Sequence, residues 1–240
     1  MKINVGETLR FFDEEAESRG HATAIVSVIG EDLNTSVFKN YLEARGDRVK
    51  IFDGPITQGT TKGQRLDKWI YVHGKNGKNI LYQCEIKNWS ATAIGGRSLP
   101  MKANGDEVRK ISQYHWEQQK NVFSRDAKPN SVTKVLLRMN PARNENVKQY
   151  MEEQKINNYQ QQQKPLLIYW MPISSNKKDN NPFFTEKVSN LDVKFTTNFE
   201  NIDIFSVSLY LRTLERKKPL SLSMPNVEKR RDILNKIIIS

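Results

Sequence analysis

Three charged residues, Asp67, Glu85 and Lys87, have types and a spacing that could support metal-dependent chemistry. Glu85 and Lys87 end an apolar run, LYQCEIKNWS, that otherwise has the pattern of a buried strand. Charged side chains are rarely buried without compensation, so a site, an ion pair or a solvent-facing edge must account for them. Two neighbouring carboxylates suit Mg²⁺, and a lysine beside them can hold or deprotonate water and offset charge on a phosphate.

The geometry of these residues depends on a predicted β-hairpin, in which RLDKWIYVHG and KNILYQCEIK flank the turn sequence KNG. This pattern predicts a type I turn with Gly77 in the left-handed conformation. With three residues in the loop, Asp67 lies directly across from Glu85, and their Cβ atoms are about 5 Å apart. A two-residue Asn-Gly turn would shift the register and turn Glu85 to the opposite face of the sheet. The loop length therefore decides whether the two carboxylates meet.

The rest of the chain has the alternating pattern of an α/β protein. Helices are predicted over residues 5–19, from Gly30 to Gly46, over 104–123 and 144–159, and after Pro225. Strands are predicted over 49–52, 131–139 and 166–173, and short polar loops over 160–165 and 174–182. Residues 201–214 fit a strand and a helix equally well.

Composition narrows the class of partner. The 240 residues carry a net charge of +11, which favours a polyanion, and nucleic acid is the leading candidate. The single cysteine, Cys84, excludes an internal disulfide and a cysteine-based zinc site, and the histidines lack the spacing of a metal site. No apolar run approaches the roughly 20 residues of a membrane span. We therefore expect a soluble cytoplasmic protein without a membrane partner.

The segment from about residue 30 to 90 resembles the PD-(D/E)XK nuclease superfamily, which includes restriction endonucleases and Holliday-junction resolvases. These proteins have a helix, three antiparallel strands with the Asp on the second and E-x-K on the third, then a further helix and strand. Asp67, Glu85 and Lys87 match that motif, and GEDLNTSVFKNYLEARG resembles the first helix of the resolvases and Mrr-like enzymes. Leu66 stands where the motif's name has proline.

The resemblance implies a fold. It is a restriction-endonuclease-like core over residues 30–175, with a mixed central β-sheet flanked by helices. Residues 1–29 would be an N-terminal helical extension, and residues 176–240 a helical or mixed C-terminal extension packed on the core.

The resemblance also implies roles for the residues of the site. Asp67, Glu85 and the backbone carbonyl of Ile86 would bind Mg²⁺, with Mn²⁺ as a substitute. Glu31, with Asp32 as the alternative, would hold a second ion or a metal-bound water. Lys87 would orient the attacking water. Gln83 is a further candidate catalytic residue, and the candidate contacts to nucleic acid are Arg97, Lys102, Arg109 and Lys110.

By that resemblance the protein is expected to be an Mg²⁺-dependent endonuclease of a restriction, defence or repair type. DNA is the favoured substrate, RNA remains open, and the protein would act as a homodimer or in a larger nucleoprotein complex. The alternative function is a nucleic-acid-binding or assembly subunit with the same fold that does not cleave.

Each candidate residue also has a structural interpretation. Asp67 could form an ordinary cross-strand ion pair with Lys87 on a hairpin edge. Glu31 and Asp32 could be favourable charges in the first turn of a helix. The basic residues after the motif could form a solvated face. His115 and Trp116 could contact DNA or be buried against the sheet.

Overall fold

A computed structural model describes residues 1–14, 19–54, 66–88, 97–125, 136–137, 145–156, 162–175, 180–191, 193, 197, 199–214 and 218–237. The strands are β1 (Lys2–Asn4), β2 (Arg48–Phe52), β3 (Lys68–His73), β4 (Asn79–Lys87), β5 (Gln162–Tyr169), β6 (Phe183–Lys187), β7 (Asn201–Ser206) and β8 (Pro219–Ser221). The α-helices are α1 (Val5–Leu9), α2 (Arg19–Glu43), α3 (Gly105–Arg125), α4 (Glu145–Glu153), α5 (Val207–Thr213) and α6 (Pro225–Ile237). A π-helical turn (Arg10–Glu14) follows α1, and a 3-10 turn (Val188–Leu191) follows β6.

A mixed six-stranded sheet in the order β2-β3-β4-β5-β7-β6 forms the centre of the fold. Strands β2, β3 and β4 are antiparallel neighbours, β5 and β7 continue the sheet in parallel, and β6 pairs with β7 antiparallel. β1 and β8 form a separate two-stranded sheet. The predicted α/β class, with a mixed central sheet flanked by helices, is confirmed.

The period-two pattern of the strands divides the apolar side chains into two cores, one on each face of the sheet. Ile70, Tyr82 and Cys84 face α2, and they belong to one buried cluster with residues of α1 and α5. Trp69 and Leu81 face the other way and belong to a second cluster with Trp116 of α3. The central strands are therefore covered on both faces.

The hairpin of β3 and β4 has the register that the three-residue loop predicts. Lys68 pairs with Cys84 and His73 with Asn79, so each pair of residue numbers sums to 152. The Gly77 N–H donates to the Gly74 carbonyl at 2.9 Å. Gly77 has φ of +77°, the left-handed conformation predicted for it.

Helix α2 differs from the prediction because it passes through Gly30 instead of starting there. A Cβ at Gly30 would lie 2.6 Å from Nδ2 of Asn88, the residue that follows β4. The glycine thus permits a close approach between helix and strand end, and it does not mark a helix boundary. The predicted helix over 5–19 is likewise replaced by α1 and the π-helical turn up to Glu14, and residues 15–18 lie outside the described chain.

Other predictions need correction in detail. Of the strand predicted over 131–139, Leu136 and Leu137 are helical, and the other residues lie outside the described chain. β5 begins at Gln162, inside a predicted loop, and ends at Tyr169. Pro165 is tolerated in β5 because β7 begins to pair only at the next residue of β5.

The ambiguous segment 201–214 contains both elements that its pattern allowed. β7 ends at Ser206, whose Oγ accepts the Leu209 N–H at 3.4 Å and so caps α5. The helices predicted near 104–123, 144–159 and after Pro225 are present as α3, α4 and α6. The predicted domain limits stay predictions. β6 and β7, from the predicted C-terminal extension, join the central sheet.

No helix in the described ranges has the length and apolar character to cross a membrane.

Candidate active site

The structure brings the three residues of the motif together at one end of the β3–β4 hairpin. Asp67 directly precedes β3, and its Oδ2 accepts the backbone N–H of Ile86 at 2.8 Å. Lys87 Nζ donates to Glu85 Oε1 at 2.9 Å, so these side chains share one face of β4. The bond to Ile86 therefore holds the Asp67 carboxylate across the β3–β4 ladder from the Glu85 carboxylate, as the register requires.

Glu85 is a buried carboxyl group beside another carboxyl group. Its residue is 5% exposed, and this burial is the largest cause of a pKa raised to about 7. The charge of Asp67 and a hydrogen bond with it raise the pKa further, whereas the charge of Lys87 and its hydrogen bond lower it. The pair can hold a proton or a hard cation between its oxygens.

Of the two acidic candidates on α2, Glu31 is the one whose pKa is shifted by the charge of Asp67. Its pKa is raised by partial burial and next by the charge of Asp67, and the charge of Lys68 opposes this. Asp32 instead accepts the backbone N–H groups of Asn226 at 2.6 Å and Val227 at 3.1 Å, in the first turn of α6. Asp32 therefore serves as a helix cap.

The structural interpretation of Glu31 and Asp32 is wrong because both lie well inside α2 and not in its first turn.

The position of α2 against the site depends on small and polar residues. Gly30 leaves room for Asn88, and the amide of Asn34 donates to the Asn88 side-chain oxygen. These contacts join the middle of α2 to the residue after Lys87.

Gln83 shares the face of β4 that carries Glu85, one step further into the sheet. Its side chain is fully buried, and among the described residues neither its amide nitrogen nor its amide oxygen has a hydrogen-bond partner. Trp69 lies across from it on β3. A buried amide without partners costs free energy, so packing alone does not explain a glutamine here.

The donor set fits a hard divalent cation only in part. Within the described ranges, no three His, Cys, Asp or Glu side chains converge into a ready-made metal centre. Asp67 and Glu85 nonetheless offer paired carboxylate oxygens, and magnesium is commonly held by one or two carboxylates, with water and substrate phosphate completing its shell. The role of the Ile86 carbonyl stays a prediction, and its N–H is what orients Asp67.

The predicted contacts to nucleic acid lie before α3, at Arg97 and Lys102, and in its first turns, at Arg109 and Lys110. Arg97 lies 5.6 Å from the centre of the Tyr114 ring, and Arg109 Nη2 pairs with Asp106 at 2.8 Å. Lys102 and Lys110 are exposed. These positions suit phosphate contact, and their binding role stays a prediction.

His115 and Trp116 are buried, as their structural interpretation predicts. Burial lowers the pKa of His115, and hydrogen bonds with backbone groups of Pro172 and Arg97 oppose that shift. Trp116 belongs to the core on the α3 face. Neither side chain is available to DNA. Cys84 is buried as well, as predicted.

Lys68 and Asp53 are charged neighbours of the site that the sequence reasoning missed. Lys68 follows Asp67 directly but points to the opposite face of the sheet, and its Nζ lies 2.6 Å from Asp53 Oδ1. Its side chain is only 9% exposed. The available signal was a lysine at a strand position between Asp67 and Trp69, where an apolar residue would be usual.

Comparison of the chain with protein-family models, characterised proteins and solved structures finds no match.

Proposed function

We propose that the protein is a metal-dependent nuclease that hydrolyses phosphodiester bonds of nucleic acid, with DNA as the favoured substrate. The observation that carries this proposal is the convergence of Asp67 and Glu85 across the hairpin, with Lys87 bonded to Glu85. A buried carboxyl group beside another carboxylate costs folding free energy, and groups perturbed in this way cluster at functional sites.

The order of the elements supports the same proposal. Helix α2, the antiparallel strands β2, β3 and β4, helix α3 and the parallel strand β5 follow one another as the resemblance to the PD-(D/E)XK superfamily implies. In that order the acidic residue precedes the second of the three strands, and E-x-K ends the third. A restriction-endonuclease-like core is therefore part of the proposal.

The site residues divide the chemistry among themselves. Asp67 and Glu85 would hold the cation, and Glu31 adds negative charge from α2. A bound Mg²⁺ would neutralise phosphate charge and lower the pKa of a coordinated water. The Lys87 ammonium would orient the attacking water and offset charge that develops on the phosphate. The water oxygen would bond to phosphorus as the bond to the 3′ oxygen breaks. The proton that the water loses would reach the 3′ oxygen through solvent, which leaves a 3′ hydroxyl and a 5′-phosphate.

The preference for nucleic acid also rests on charge. The chain has 38 Lys and Arg against 27 Asp and Glu. A net charge of +11 favours binding to a polyanion through release of its counterions. The basic residues before α3 and in its first turns, three of which are exposed, provide one place for such contacts.

The test is a digestion panel with supercoiled, linear, branched and single-stranded DNA and with RNA, in Mg²⁺, Mn²⁺ or EDTA. We expect cleavage that EDTA abolishes, and a loss of roughly 10³-fold in Glu85→Gln and in Lys87→Met. Glu200→Gln, an exposed carboxylate away from the hairpin end, is the matched control and should cleave like wild type.

The panel also separates the alternative function. A wild type that binds nucleic acid but cleaves no substrate with either metal would contradict hydrolysis and favour a non-cleaving binding or assembly subunit. Cleavage that survives in Glu85→Gln would place the chemistry elsewhere in the protein.

A further inference from the structure

Helix α2 meets the end of β4 through two asparagines. The side-chain amide of Asn34, on α2, donates to the side-chain oxygen of Asn88, the residue that follows Lys87. Asn34 is 1% exposed, and its own amide oxygen has no hydrogen-bond partner among the described residues. An apolar side chain would fill such a place without the cost of burying an amide. Volume alone therefore does not explain this asparagine, whereas a directional bond to Asn88 does.

Gly30 lies one turn before Asn34 and brings the helix backbone against the same side chain. A Cβ at Gly30 would lie 2.6 Å from Nδ2 and 2.7 Å from Cγ of Asn88. Glycine inside a helix costs stability relative to alanine, and Gly30 lacks the positive φ that would call for glycine. What the glycine provides is therefore the space that Asn88 occupies.

Apolar groups surround this contact. Phe12, Leu33 and Trp170 lie around the two asparagines and leave no room between them for a water molecule. The Phe12 and Trp170 ring centres are 4.3 Å apart, and the Trp170 N–H donates to the Lys87 carbonyl at 3.0 Å. The backbone at Lys87 is therefore held by Trp170, and the neighbouring Asn88 is held by α2 in a closely packed place.

The contact joins two parts of the candidate active site that different elements carry. Glu31 directly follows Gly30 on α2, and Lys87 directly precedes Asn88. The pairing of β3 with β4 sets the hairpin residues relative to one another, but it does not set Glu31, which lies on a helix. A hydrogen bond defines distance and direction more narrowly than apolar contact does. The bond between the asparagines can therefore fix where α2 lies against the end of β4.

We propose that Asn88 is a positioning residue, held by Asn34 and Gly30, that sets Glu31 on α2 against Lys87 on β4. The inference rests on the proposed nuclease function, because the groups it positions are those assigned to the cation and to the attacking water. Asn88 acts through these groups and needs no contact with the cation or the substrate.

The first test compares two asparagines of the same helix. Asn34→Ala removes the bond to Asn88, and Asn40→Ala removes a bond of 2.8 Å to the Tyr210 hydroxyl of α5. We expect Asn34→Ala and Asn88→Ala to lower the single-turnover cleavage rate, at saturating protein and Mg²⁺, roughly 10- to 100-fold. Asn40→Ala should stay within about twofold of wild type, although urea denaturation should show that it too loses stability.

A comparison of rate with binding excludes a merely structural role. The affinity for a labelled short DNA in EDTA, measured by fluorescence anisotropy, should stay within about twofold of wild type in all three variants, because positioning changes the rate and not the hold on the strand. Equal losses of cleavage in Asn34→Ala and Asn40→Ala would show that weaker helix packing slows the reaction, and would overturn the proposal.

The second test is a double-mutant cycle at the close approach. Gly30→Ala drives a methyl group into the Asn88 amide, so it should slow cleavage about as much as Asn88→Ala does. In the Asn88→Ala background that amide is absent, and Gly30→Ala should cause no further loss. Gly105→Ala, at the start of α3, where an added Cβ meets nothing within 4 Å, is the matched control and should cleave like wild type. Losses at Gly30 and Asn88 that simply add would mean that the two residues act independently, against the proposal.

A third measurement does not depend on cleavage. Isothermal titration with Mg²⁺ at pH 8 gives the affinity of the site for its cation. We expect Asn34→Ala and Asn88→Ala to weaken this affinity roughly tenfold and Asn40→Ala to bind Mg²⁺ as wild type does. Circular dichroism checks that each variant is folded, and if Gly30→Ala does not fold, the comparison of Asn34→Ala with Asn40→Ala decides.

The outcomes separate the positioning role from the proposed function. If wild type cleaves, the rates decide, and variants at Asn34 and Asn88 that cleave like wild type contradict the positioning role alone. If wild type binds Mg²⁺ but does not cleave, the affinities decide: weaker binding in these variants contradicts hydrolysis and keeps the positioning role at a cation site, whereas unchanged binding overturns both. A wild type that neither cleaves nor binds Mg²⁺ also overturns both.

Discussion

Two buried carboxylates on the central sheet, Asp203 and Glu85, meet very different surroundings. Asp203 is 1% exposed and accepts hydrogen bonds from Tyr82 at 3.0 Å, Thr185 at 2.6 Å and Lys164 at 3.2 Å. Glu85 is nearly as buried, accepts from Lys87 and faces a second carboxylate. The buried charge of Asp203 is thus compensated by three hydrogen-bond donors, whereas Glu85, which is about as buried, is repelled by the charge of Asp67.

This difference distinguishes a structural polar group from a candidate catalytic one. The donors to Asp203 come from β4, β5 and β6, so its network joins four strands of the sheet. Glu85 gains its lysine from its own strand and joins no further strand through that bond. A carboxylate that stabilises the sheet should be costly to remove, whereas one that is kept for chemistry should not.

The largest effect on stability is expected at the Asp203 network. Asp203→Ala leaves the Lys164 ammonium and the Tyr82 hydroxyl without their acceptor, in surroundings that are largely closed to water. We expect a loss of about 3 kcal/mol in the free energy of unfolding, measured by urea denaturation. Tyr82→Phe removes one donor only and should lose about 1 kcal/mol.

A contrary result would mean that Asp203 cannot serve as the example of a stabilising carboxylate against which Glu85 is compared. If Asp203→Ala unfolds at the same urea concentration as wild type, the network does not stabilise the sheet. Its burial would then call for a functional explanation, as the burial of Glu85 does.

The next effect is a pH dependence of stability that comes from Glu85. A carboxyl group with a pKa of about 7 in the folded protein, against 4.5 ordinarily, binds its proton more tightly when folded. The stabilisation is complete below pH 4.5 and is lost as pH rises through about 7. In EDTA, we expect this group to change the free energy of unfolding by roughly 2–3 kcal/mol across that range.

Glu85→Gln isolates this contribution, because the amide has the shape of the protonated acid but does not titrate. Its unfolding free energy should fall less than that of wild type between pH 5 and 8, and it should exceed that of wild type at pH 8. Parallel curves for the two proteins would show that neither burial nor the charge of Asp67 raises the pKa of Glu85 in the folded protein. Glu200→Gln should follow wild type.

Local sequence patterns were enough to predict the hairpin and the meeting of Asp67 with Glu85. The turn sequence favours the three-residue loop over the two-residue one, Gly77 supplies the left-handed residue, and alternation then assigns each side chain to a face. The α/β class followed from the same alternation of apolar patterns.

Contacts between distant segments could not be predicted in this way. Gly30 looked like a helix boundary because its true constraint is Asn88, which lies in another element. Asp32 caps a helix that begins nearly two hundred residues later, and Lys68 pairs with Asp53 across the hairpin edge. Such pairings depend on how the elements pack, and no periodicity within one element shows them.

A divalent cation should stabilise the folded protein at a pH at which Glu85 no longer holds its proton. At pH 8, above the pKa of about 7 of Glu85, that carboxyl group is mostly ionised, and Mg²⁺ at ten times its Kd should raise the free energy of unfolding by about 1.4 kcal/mol. The gain should disappear near pH 5, because a proton competes for the same oxygens. Thermal unfolding with and without Mg²⁺ at both pH values measures this.

The same cation experiment on variants tests where the ion binds. Glu85→Gln should lose the Mg²⁺ effect, and Asp203→Ala should keep it, although its starting stability is lower. An equal Mg²⁺ effect in wild type and Glu85→Gln would place the cation away from the hairpin end and would weaken the proposed metal site.

The smallest effect on stability is expected at Gln83. This residue also gives the clearest test of whether a buried polar group is structural, like Asp203, or functional, like Glu85. Its amide is buried and finds no hydrogen-bond partner in the part of the chain that the structure describes, so Gln83→Leu should raise the free energy of unfolding by about 1 kcal/mol. If the amide serves the site, the variant should also cleave less. Gln149→Leu, on the exposed side of α4, should change stability by less than about 0.5 kcal/mol. A marked loss of stability in Gln83→Leu would instead group this amide with the structural network of Asp203. A stabilised variant that cleaves like wild type would remove Gln83 from the site.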